Sequence, residues 1–78
     1  MTPDDIVLRG IEDLLGAHEH LQAGKPTLAL SIVECVMTRV HEDILAEAAP
    51  DVAEEFTNLA GSLLLTLTRK ARRQATRR

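Results

Sequence analysis

The side chains able to do chemistry in this chain are a cluster of cations near its end, three histidines, one cysteine and a set of acidic doublets. The cations come first. Arg69, Lys70, Arg72, Arg73 and Arg77 gather within roughly 160° of the circumference if the last helix runs on to its end. Such a face can neutralise several phosphates, with strong salt dependence. The same cations also favour the negative end of a helix dipole and keep that end dissolved. A third use is pairing with the acidic surface of a neighbouring copy. No aromatic residue lies among residues 69–78, so base stacking is not on offer. No helix-turn-helix or ribbon signature accompanies them.

The remaining groups do not converge in the pattern. A zinc site generally uses three or four ligands. His18 falls in the apolar stripe of the first helical segment, His20 on the opposite side, His41 on the flank of the second segment and Cys35 on its far side. His18 is expected to be a packed histidine with a polar partner, replaceable by leucine. The doublets Glu12–Asp13, Glu42–Asp43 and Glu54–Glu55 fall on outward faces or first turns, where solvated carboxylates are ordinary. Bundles that hold two metals use Glu-x-x-His, and no glutamate here has a histidine three residues on. Ser31 and Ser62 sit inside helical patterns without the sharp turn a nucleophile needs. No glycine-rich phosphate loop is present. The expectation is a non-enzymatic protein without metal or cofactor.

Three segments have to position these groups, and they divide at Pro and Gly. The first spans about 3–23. Thr2 is suited to the N-cap, Pro3 to the first helical position, and Asp4 and Asp5 to the positive dipole end. Gly24 can adopt the left-handed stop. The second spans about 26–48, after a connection too short for anything but an antiparallel neighbour. The third spans about 51–75, with Asp51 and Glu54 at capping-box spacing. The run Gly24–Leu30 resembles the turn of a tetratricopeptide hairpin over those residues alone, and no second copy of the repeat follows.

Helical periodicity assigns the faces. The first segment aligns Val7, Ile11, Leu14, His18 and Leu21, with Leu8 and Leu15 on the flank. The second aligns Ala29, Val33, Val36, Met37, Val40 and Ile44, and the third Val52, Phe56, Leu59, Ala60, Leu63, Leu64 and Leu67. Leu28, Ile32 and Leu65 fall outside these stripes. Gly61 lies beside the third stripe, where a small residue lets another helix approach. A chain of 78 residues is marginal without a disulfide, metal or partner, and one cysteine cannot form an internal disulfide. Apolar surface beyond one stripe per helix therefore points to a second buried interface, most simply a two-fold dimer.

The fold class expected is all-α: one domain, a three-helix antiparallel bundle unit that self-associates. The function expected is an interaction or assembly module that binds itself or a protein partner through aliphatic faces, with Leu28, Ile32, Gly61 and Leu65 as the self-association set. A nucleic-acid-binding accessory protein using residues 69–78 is the alternative. Charge is strongly divided: residues 1–68 hold all 12 acids and three of the nine cations, a net −9, against +6 in residues 69–78. Lacking a leader-like or bilayer-length apolar run, the chain reads as cytoplasmic, with no membrane partner.

Overall fold

The structure is a computed structural model that describes residues 2–76, by their backbone alone at residues 71 and 74–76. It is all-helical: α1 spans Pro3–Gln22, α2 Pro26–Arg39, α3 Glu42–Glu47 and α4 Pro50–Thr76, and the described residues contain no strand.

Local chemistry fixes the start and end of α1. Thr2 is extended (φ −81°, ψ 158°), and its hydroxyl accepts from the Asp5 N–H at 3.2 Å. The Thr2 N–H donates back to the Asp5 carboxylate at 3.4 Å, which completes a capping box. At the other end, Gly24 takes φ +80°. The Lys25 N–H then reaches the His20 carbonyl at 2.9 Å and the Gly24 N–H reaches Leu21 at 3.2 Å. This pair of bonds satisfies carbonyls left open at a helix end and turns the chain directly into α2.

The segment expected to run unbroken over 26–48 is two helices. Val40 (φ −101°, ψ 83°) and His41 (φ −75°, ψ 163°) leave helical geometry between them. Two features accompany the break. Glu42 and Asp43 favour a fresh helix N-terminus, where the His41 carbonyl receives the Ile44 and Leu45 N–H groups. Finally, the break keeps Val40 buried and packs Ile44 and Leu45 against the core.

Two contacts set the direction of α4. The Asp4 carboxylate accepts from the Ala49 N–H at 2.7 Å, beside the start of α4. Far along both helices, Lys70 Nζ donates to the Leu21 carbonyl at 3.5 Å. Thus α1 and α4 run parallel, while α2 runs antiparallel to both. α4 begins at Pro50, two residues before the first helical position that an N-cap at Asp51 implies, and Ala49 offers its carbonyl to Ala53. At 1.5 Å per residue, α4 is about 40 Å long against about 30 Å for α1, so its last turns project beyond the other helices. The molecule is correspondingly elongated, 46 × 18 × 17 Å.

The core lies along this axis and is aliphatic except for Phe56. Val7, Leu14, Ala17 and Leu21 come from α1, Ala29, Val33 and Val36 from α2, and Phe56, Ala60, Leu63 and Leu67 from α4; Val40 and Ala48 join them from the connections. Three expected core positions are corrected. His18 is exposed, because Ala17 occupies the inward position next to it. Met37 and Leu64, at the edges of their stripes, are exposed because α2 and α4 do not close over them. Gly10 is buried where α1 crosses its neighbours. A Cβ there would meet the Phe56 ring at 3.0 Å, Val40 at 3.1 Å and Val36 at 3.3 Å.

Candidate interaction surfaces

Packing three long helices leaves a furrow along each pair, and large aliphatic side chains lie exposed in or beside all three. Between α2 and α4, Pro26, Leu30, Leu64 and Leu67 line a hollow that ends at Thr68 and Lys70. Leu30 and Leu64 are 40% and 39% exposed, and Met37 lies two turns further along the same side of α2. Between α1 and α4, Ile11, Leu15 and Leu59 line a second hollow, rimmed by Asp51, Glu54 and Glu55. Leu8 continues its α1 side, seven residues before Leu15. Between α1 and α2, Ile32 and Cys35 face Gly16, with Glu12, Asp13 and Arg39 around them. The Arg39 guanidinium pairs there with the Asp13 carboxylate, joining α2 to α1 at a solvent-exposed site. An ion pair of that kind contributes about 1 kcal/mol or less.

The four residues expected to form one self-association patch do not lie together. Leu28 and Ile32 fall on the flank of α2 that turns toward α1; Leu28 is exposed and Ile32 half-buried against the core. Gly61 and Leu65 lie on the outward side of α4, opposite Phe56, Leu63 and Leu67. Leu65 is the most exposed large aliphatic side chain among the described residues, at 53%, and a Cβ at Gly61 would meet nothing within 4 Å. Sequence reasoning missed Leu30 and took Leu64 and Met37 as core. The signal was present: Pro26, Leu30, Val33 and Met37 repeat at four, three and four residues, a stripe wider than one neighbour can cover.

The basic residues divide as well. Arg69, Arg72 and Arg73 are exposed along the last turns of α4. Lys70 is half-buried and bonds the Leu21 carbonyl in the last turn of α1, where a cation meets the negative end of the dipole. Arg77 lies outside the described residues. Lys25 sits at this same end of the molecule, in the α1–α2 turn. The opposite end carries Asp4, Asp5, Glu42, Asp43, Glu47 and Asp51, so charge is separated along the long axis.

Among the other candidates, the His18 ring is exposed, and its Nε2 lies 3.0 Å from Gln22 Nε2 one turn on. Cys35 is an exposed free thiol. Among the described residues, no three His, Cys, Asp or Glu side chains converge as a metal site would require, and no charged or polar residue is buried. No helix of the described residues is long and apolar enough to cross a membrane. Comparison with known proteins places no relative beside this chain: no family model, no curated protein and no solved structure matches it.

Proposed function

We propose that this protein is a non-enzymatic interaction module whose helices form an antiparallel bundle unit and associate with a second copy, or with a protein partner, through aliphatic faces. One observation carries the reading. Seven large aliphatic side chains remain exposed among the described residues, all of them on helices and most of them along the furrows. Such furrows receive helices of another chain by the helix-in-groove mode. Burying one such side chain contributes about 1.5–3 kcal/mol, so two or three covered together suffice for measurable association. Sedimentation equilibrium of the full chain tests this. Concentration-dependent association is expected, and a lone compact chain at the highest concentration reached would remove the self-binding form.

A second reading, nucleic-acid binding, is supported by the exposure of Arg69, Arg72 and Arg73 along the last turns of α4. Phosphate contacts would make binding fall with salt by about 0.9 logarithmic units per contact in each tenfold step. A duplex-DNA titration that shows no binding at low ionic strength removes it.

A further inference from the structure

The outward side of α4 carries a pattern that an antiparallel copy of the same helix would complete. Asp51, Glu55, Asn58, Ser62, Leu65 and Arg69 recur at alternating spacings of four and three, and Arg73 extends the row. That repeat places them in one seam along a helix. All are exposed. The seam is acidic at its start and basic at its end, with Ser62 at the middle and Gly61 beside it. Reversing the helix about Ser62 sets Glu55 against Arg69 and Asp51 against Arg73, because each pair is equally distant from the centre. In that register the two Leu65 side chains lie on one flank of the seam, on either side of the crossing point.

We propose that two copies of this chain form a symmetric dimer through the outward side of α4, antiparallel about Ser62, with the two Leu65 side chains covered along the seam. The proposal rests on the self-associating form of the interaction reading and names its surface. The occupant is a second copy because the seam is self-complementary: one patch supplies both charges, as a two-fold interface requires. Small residues at Gly61 and Ser62 let the backbones approach at the crossing. The α2–α4 furrow has no comparable row, since Lys70 is the single charged residue among those lining its hollow.

The test uses the full chain and two charge-reversed forms. One carries Asp51→Arg and Glu55→Arg, the other Arg69→Glu and Arg73→Glu. Each alone should dimerise at least about tenfold more weakly than the parent, because attraction becomes repulsion at all four pairs. Mixed, they should recover the dimer, because every pair is then opposite in sign. Leu65→Asp should raise the dissociation constant by roughly a hundredfold, since two such side chains are lost per dimer. In a Cys35→Ser background, Ser62→Cys should cross-link to itself on oxidation and Leu28→Cys should not, because only Ser62 lies at the axis. A monomeric parent overturns the proposal and the self-binding reading together. A dimeric parent overturns the proposal alone if the charge-reversed forms fail to pair, or if Leu30→Asp with Leu64→Asp abolishes the dimer while Leu65→Asp leaves it intact.

Discussion

Gly10 and Gly16 are both interior glycines of α1, and replacing each by alanine should move stability in opposite directions. Propensity alone predicts the same outcome at both sites, a gain of about 1 kcal/mol for each. Space decides otherwise. At Gly16 a new methyl group would meet nothing within 4 Å, so the full gain of about 1 kcal/mol is expected. At Gly10 the methyl would meet three side chains at 3.0–3.3 Å. Phe56, Val36 and Val40 are all at most 3% exposed, so none can swing into solvent to make room. Forcing a methyl into a packed site of that kind costs about 1–3 kcal/mol. The propensity gain offsets part of that cost, leaving Gly10→Ala about 1 kcal/mol less stable than the parent. The two variants then differ by about 2 kcal/mol. For a domain of this size, 1 kcal/mol moves Tm by about 4–8 °C. Thermal melts by circular dichroism at one fixed protein concentration should therefore show Gly16→Ala above the parent and Gly10→Ala below it. The concentration must be held because association itself raises Tm. If both variants melt higher by the same amount, the close crossing of α1 over Phe56 is refuted.

Three further outcomes follow from single contacts. Asp4→Ala should cost about 1 kcal/mol in chemical denaturation, because the half-buried Ala49 N–H loses its acceptor; Asp4→Asn, which keeps an oxygen there, should recover most of it. Gly24→Ala should lower stability by about 1 kcal/mol or more, since φ +80° is strained for any residue with a Cβ. His18→Leu should change the unfolding midpoint by less than about 0.5 kcal/mol, because the ring is exposed; a large loss would mean its contact with Gln22 is structural.

The features legible in the sequence are those set by short-range chemistry. Thr2, Pro3 and Asp5 announce the start of α1, and Gly24 announces its end, because capping and left-handed backbone depend on residue type within one turn. The break at Val40–His41 was not legible. No Pro or Gly marks it, and the β-branched residues before it are common inside helices. After it, Ile44 and Leu45 pack against the core beside the buried Val40, a tertiary arrangement that periodicity along one helix does not express. The same holds for the surfaces. Periodicity assigns a stripe to each helix but not its width, which depends on how closely neighbours approach. So Leu64 and Met37 fall on their stripes and are exposed, and His18, which periodicity puts on the first stripe, is exposed while Ala17 beside it is buried. The charge division was fully visible; that α4 carries both signs along one outward row depends on which of its sides the other helices cover.

The meeting of Phe56 with Gly10, Val36 and Val40 also gives the molecule a built-in spectroscopic beacon. No tyrosine, tryptophan or second phenylalanine is present, and the exposed or half-buried histidine rings lie away from the interior. In an NMR spectrum, methyl signals from the interior that are displaced by a neighbouring ring must therefore arise from this one junction. The valine methyls of residues 36 and 40 should stand apart from an otherwise crowded aliphatic region. Their positions would report directly on whether three helices still meet at that point, without any label. A tyrosine or tryptophan introduced elsewhere would, in turn, be read against a dark background.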